Sequence, residues 1–260
     1  MNVPEDWTAS SITTNGVKLK YYRVGEGPPV ILAHGLFDSG RCWAPIISEL
    51  KSDYSIVAYD ARGHGQSGAP ESGYGISDRV ADLLGLTRSL SLTDPIVIGH
   101  SLGGSTAAWT AAEHPDKIRG VILEDPAGIH GEPEIGAKER AKMVRRRVDE
   151  KTDASVAELI QEYEDRSQAL ARRLVTADKE CSPQIAKYAQ HGYPPLSEAF
   201  EQITCPALVL RSDGPPAERA DDLAVAANLS EGRLVHLHGA GHCVIRDCYD
   251  AAMAEITTYL

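Results

Sequence analysis

The chain has 260 residues, enough for one large α/β domain with a sizeable core or for two small ones. Its 26 basic residues against 37 acidic ones leave a net charge of −11, which argues against nucleic acid or an anionic membrane surface as the main partner. No stretch approaches the roughly 18 apolar residues of a membrane span, and the N-terminal "MNVPEDWTASS" lacks the basic run and apolar core of a secretory leader. The cysteines (Cys42, Cys181, Cys205, Cys243, Cys248) are odd in number and form no C-x-x-C pair, so reduced thiols in a cytoplasmic protein are expected.

"SSITTNGVKLKYYRVG" reads as a hairpin, with Asn15-Gly16 as the turn between two β-rich runs. "PPVILAHG" is a short buried strand that ends at a glycine. "WAPIISEL" then carries Trp43, Ile46, Ile47 and Leu50 at helical spacing. "YSIVAYD" is the fourth strand and runs into the glycine-rich "ARGHGQSG". "GISDRVADLLGLTRSL" is an amphipathic helix, "DPIVIGH" a strand, "LGGSTAAWTAAEH" a helix and "IRGVILEDPAG" the sixth strand. From about Ile129 to Phe200 the chain turns charged and helical, with no strand pattern. Strands return in "PALVLRSDG" and "GRLVHLHGAGH", separated by the helical "AERADDLAVAAN", and "YDAAMAEITTYL" closes the chain as a helix.

Strands that alternate with helices predict a mostly parallel sheet covered on both faces, here with eight strands. Ligands in such sheets sit at the carboxyl ends of the strands. The glycine- and histidine-rich breaks fall there: His34-Gly35, Arg62 to Gly65, Gly99 to Gly104, and Gly239 to His242. Residues 1–128 and 201–260 are expected to form the sheet domain. Residues 129–200 are expected to form a helical cap over the same edge.

Gly99-His100-Ser101-Leu102-Gly103 is G-x-S-x-G at a strand-to-helix junction, which makes Ser101 a candidate nucleophile. A capping serine is the plainer alternative, but it leaves the flanking glycines unexplained. The following helix start offers free N–H groups to a developing negative charge. The Leu36 and Leu102 N–H groups are the expected oxyanion hole, with Gly35 N–H competing for the first role. His242, in "HGAGHCV", is the expected general base. His34, His64 and His100 belong to loop motifs with structural explanations. In the insert, Tyr163, Tyr188, Tyr193 and Phe200 suit either cap core or a cavity lining; Tyr188, Tyr193 and Gly35 are the substrate-contact candidates.

With "HGLFDSGRCW", "YDARGHGQSG", "GHSLGGS", the strand before Asp125 and "GAGH" in this order, the chain resembles the α/β-hydrolase fold superfamily over nearly its whole length. The resemblance implies a serine esterase or lactonase with a Ser-His-Asp triad and no cofactor. Serine at 101 argues against epoxide hydrolase and dehalogenase chemistry, which use a carboxylate nucleophile. The superfamily's acid usually follows the seventh strand, but Pro215 fills that slot and Asp213 lies two residues early. Asp125, at the end of the sixth strand, is favoured, with Asp213 as the alternative. Some lactonase-type members, including those that open zearalenone, resemble this placement. His236, His238 and His242 lack the Asp of a metallo-lactonase cluster, so no metal is expected. The expected partner is a small ester or lactone, with a homodimer open. Alternatives are C–C bond hydrolysis or cofactor-free perhydrolysis on the same fold, or a non-catalytic ligand receptor.

Overall fold

The computed structural model describes residues 3–131 and 134–260. Met1 and Asn2 of the N-terminal stretch, and Glu132 and Pro133 of the insert, lie outside the described residues. Eight strands form one sheet: β1 (Thr8–Thr14), β2 (Val17–Val24), β3 (Pro29–Ala33), β4 (Ser55–Tyr59), β5 (Ile96–His100), β6 (Gly120–Glu124), β7 (Ala207–Arg211) and β8 (Gly232–His236). Their order is β1-β2-β4-β3-β5-β6-β7-β8. The β1–β2 and β2–β4 pairs are antiparallel, and all others are parallel. Asn15 and Gly16 both have positive φ, as a tight two-residue hairpin turn requires.

The central strands are buried on both sides, and side-chain alternation sends their residues to two cores. Ile31 and Ala33 of β3 pack beneath α2 (Ile76–Ser89) and α3 (Leu102–Glu113) with Val57, Leu83, Val97 and Ala107. Val30 and Leu32 face the other way, toward α1 (Ala44–Leu50) and α11 (Tyr249–Tyr259), with Ile46, Ile98, Met253 and Ile256. At about 1.5–3 kcal/mol for each fully buried aliphatic side chain, these two layers supply the main drive for folding. The predicted helix at "WAPIISEL" begins later than its spacing suggests: Gly40–Trp43 is a 3-10 turn and α1 follows it. Pro45 near the start of α1 favours that break, because proline suits the first helical turn.

Between β6 and β7 run α4 (Ala137–Asp153), α5 (Val156–Glu162), α6 (Gln168–Lys179), α7 (Ala186–His191) and α8 (Leu196–Phe200). In α4 only Val148 and Lys151 are buried, which accounts for its charged sequence. Lys151 Nζ lies 3.1 Å from Asp178 and also meets Glu162, which ties α4 to α5 and α6. Val148, Ile185 and Tyr188 of this insert form one cluster with Tyr74 and Leu102 of the sheet domain, and Leu36, Phe37 and Tyr193 pack against it. The insert therefore sits over the carboxyl ends of β3 and β5. Its last helix, α8, instead contributes Leu196, Ala199 and Phe200 to the core under α3. After β7 come α9 (Pro216–Ala226), β8 and the short α10 (Val244–Asp247), a helix that hydrophobic spacing alone does not mark out.

Candidate active site

The ends of β3 and β5 meet where the strand order changes direction, with Ala33 paired to Gly99. Ser101 caps α3 with φ 48° and ψ −108°, a left-handed backbone that a non-glycine residue adopts only when its surroundings enforce it. Those surroundings are close. A Cβ built on Gly103 would lie 2.0 Å from the Ala33 carbonyl oxygen, so the helix start presses on β3 and no larger residue fits. Ser101 N–H donates to the Glu124 carbonyl (2.9 Å), and its own carbonyl accepts from Ser105 (2.9 Å) and Ala127 (3.0 Å). The turn holds the side chain up at the sheet edge.

Ser101 Oγ donates to His242 Nε2 across 3.0 Å, and His242 Nδ1 donates to Asp125 Oδ2 across 2.5 Å. The three groups come from the ends of β5 and β6 and from the loop after β8. Asp125 also carries positive φ (39°). Its second oxygen, Oδ1, accepts from Ser212 N (3.3 Å), from Ser212 Oγ (3.2 Å) and from the Arg211 guanidinium. Burial opposes ionisation of this carboxyl, but the His242 hydrogen bond and the Arg211 charge outweigh it and hold the pKa below the ordinary aspartate value. Asp213 is directed elsewhere: its Oδ2 accepts from His238 Nδ1 (2.8 Å) and Gly239 N (2.9 Å).

His100 closes the rear of the site. Its Nε2 donates to the His242 carbonyl across 3.1 Å, and its Nδ1 lies 3.7 Å from Asp38 Oδ2. Burial disfavours its charge, yet Glu124 and Asp38 overcome this and push its pKa well above the ordinary histidine value. Arg246 Nη2 holds Asp38 at 2.9 Å, and Glu124 Oε1 accepts from Ile245 N at 2.7 Å. The loop after β3 leans on this cluster: a Cβ on Gly35 would meet His100 Nδ1 at 2.5 Å and Ser101 Cβ at 3.4 Å. The Leu36 and Leu102 N–H groups have no acceptor in the loop and turn bonding of the described residues. Leu102 takes the first position of α3 directly after Ser101, and Leu36 follows Gly35, whose position lies against Ser101 Cβ.

Of the other residues read from the sequence, Tyr188 is buried and its hydroxyl donates to the Arg62 carbonyl at 3.0 Å. Tyr193 is half-buried beside Leu102. His236 Nε2 bonds Asp222 at 2.9 Å, apart from His238 and His242. Among the described residues no group of three His, Cys, Asp or Glu could hold a metal ion. A groove of about 610 Å³ between α4 and α7, lined by Lys138, Arg145, Arg146 and Lys187, contains none of these site residues. Sequence reading missed Arg211, Asp38 and Arg246. A charged residue closing the apolar run "ALVLR" was the available signal for the first.

Residues 30–256 match the model of the alpha/beta hydrolase family. The chain belongs to that family. This α/β-hydrolase is 26% identical over 257 residues to a 2-(acetamidomethylene)succinate hydrolase of Mesorhizobium japonicum, covering 94% of this chain and 92% of that one. It is 30% identical over 234 residues to an epoxide hydrolase of Caballeronia sordidicola, covering 88% and 67%. The solved enol-lactonase of Burkholderia xenovorans LB400 superposes with a TM-score of 0.76 at 25% identity, covering 96% and 99%. No helix among the described residues is long and apolar enough to cross a membrane.

Proposed function

We propose that this α/β-hydrolase is a serine hydrolase that cleaves a carboxylic ester or lactone through an acyl-enzyme. The observation that carries the reading is the relay Ser101 Oγ, His242, Asp125, built from three separate strand ends with the serine at a strained turn. Ser101 attacks the carbonyl carbon while His242 Nε2 takes its proton. Asp125 fixes the Nδ1–H tautomer and balances the imidazolium. The Leu36 and Leu102 N–H groups receive the oxyanion. His242 then protonates the leaving alkoxide, the C–O bond breaks, and a water activated by the same imidazole releases the acid and frees Ser101. The enol-lactonase likeness supports an ester-type bond as the target. The epoxide hydrolase relative does not transfer its chemistry, because a serine hydroxyl stands where a carboxylate would be needed. The insert over β3 and β5 acts as the lid that sets substrate size and excludes water.

The test pairs a fluorophosphonate probe with a screen of aryl esters, aliphatic lactones and macrolactones. Wild type is expected to be labelled and to turn over at least one class. Ser101→Ala is expected to lose labelling and about 10⁴-fold or more of the rate. Substantial ester hydrolysis by pure Ser101→Ala protein would overturn the nucleophile assignment.

A further inference from the structure

Four arginines are buried among the described residues: Arg41, Arg62, Arg79 and Arg211. Three of them face carboxylates, Glu180, Asp82 and Asp125 respectively. Arg79, on α2 and 4% exposed, has no carboxylate partner. Its Nη1 donates to the Leu102 carbonyl and to Thr106 Oγ1, both at 3.2 Å, and its Nε is buried with no hydrogen-bond partner. The nearby acids are already engaged. Asp78 accepts from Gly75 N at the start of α2, and Asp82 is held by Arg62 and Asn15. A guanidinium cannot shed its proton, so a buried one is expensive unless an anion meets it.

The position of this charge matters. Leu102, whose carbonyl Arg79 touches, directly follows Ser101. The rings of Tyr188 and Tyr193 lie 5.9 and 5.4 Å from the guanidinium carbon, so the insert roofs it. Tyr193 is only half-buried, and it sits over Gly128, three residues after Asp125. Beside Arg79 is a cavity of about 10 Å³ whose walls include His34, Tyr59, Leu102, Thr106, Tyr188 and Asp82, the carboxylate that Arg62 holds. That is room for about one water-sized atom, such as a single oxygen beside the guanidinium.

We propose that Arg79 is the anchor for a free carboxylate on the substrate, so that the natural substrate is an ester or lactone that also carries a carboxylate. This rests on the serine-hydrolase reading and narrows its substrate class. The unused Nε–H can donate to one oxygen of a carboxylate, and Arg79 already touches the residue that follows the nucleophile.

The experiment compares monomethyl glutarate with dimethyl glutarate, and separately measures binding of glutarate and its neutral counterpart glutaramide by calorimetry. Wild type is expected to favour the hemiester by at least about tenfold in kcat/KM, and Arg79→Gln to bring that ratio near one, mainly through KM. Arg79→Lys should keep part of the preference. Wild type should bind glutarate at least about tenfold more tightly than glutaramide. Equal rates on the two esters by wild type, or a ratio unchanged in a folded Arg79→Gln variant, would overturn the proposal. So would equal affinity for glutarate and glutaramide, which needs no variant and no turnover. If fluorophosphonate fails to label wild type while glutarate alone binds, the hydrolase reading fails and the anion site stands.

Discussion

Replacing Asp125 with Asn preserves shape and tests the relay through one atom. In the protein Oδ1 receives three donors, from Ser212 N, Ser212 Oγ and Arg211, and Oδ2 receives His242 Nδ1–H. An asparagine must put its carbonyl oxygen where those three donors point. Its NH₂ group then faces His242 Nδ1, which has to accept instead of donate. The imidazole is driven into the tautomer with its proton on Nε2, where it cannot take the Ser101 proton. The charge that balances the imidazolium disappears as well. Together these are worth about 10³- to 10⁴-fold in kcat, or roughly 4–5.5 kcal/mol. The assay is steady-state ester hydrolysis at pH 7 to 8 beside Asp213→Asn, which should lose far less because Asp213 is engaged by His238, Gly239 and Arg219, away from His242. A loss below tenfold in Asp125→Asn, or a larger loss in Asp213→Asn, would refute the reasoning.

Gly103→Ala should cost about 3 kcal/mol or more, because its methyl would stand 2.0 Å from the Ala33 oxygen, and a urea midpoint close to wild type would contradict that packing. His100→Leu removes the donor to the His242 carbonyl, so kcat should fall about 10- to 100-fold with KM little changed, as measured on any accepted aryl ester. Burial, helped by the nearby His34, pushes the His64 pKa down to about 3, so the unfolded chain binds a proton that the folded chain refuses. Its contribution is intact above the unfolded pKa and declines as pH falls, by up to about 1.4 kcal/mol per unit between about 6.5 and 3. Stability curves of His64→Gln should be shallower over that window, and an unchanged slope would remove His64 from the acid response.

The fold was legible because its signals are local. Strands β3 to β7 are each a five-residue, largely apolar run, and the long helices carry their own spacing. The turn at Ser101 was legible for a steric reason: the approach of α3 to β3 admits no side chain at Gly103, so the constraint is written into the sequence as glycine. The short α10 was not legible, since four residues fixed by Val244 and Ile245 packing into the core have no periodicity to display.

Position relative to the superfamily's usual slot favoured Asp125 and left Asp213 open, because the choice depends on partners far away in sequence. Asp125 is set by Arg211 and Ser212, 86 and 87 residues onward, while Asp213 is taken up by His238 and Gly239, 25 and 26 residues onward. The same holds for His100, whose motif position looks structural until Asp38, Glu124 and the His242 carbonyl converge on it. Arg79 shows the limit most sharply. In sequence it is one charge among several in "ISDRVADLL", where an arginine reads as the solvent face of an amphipathic helix. Only the third dimension shows that α3 and the insert enclose it and that no acid follows it inside. What distinguishes a specificity residue here is a missing partner, and a linear sequence has no means of recording one.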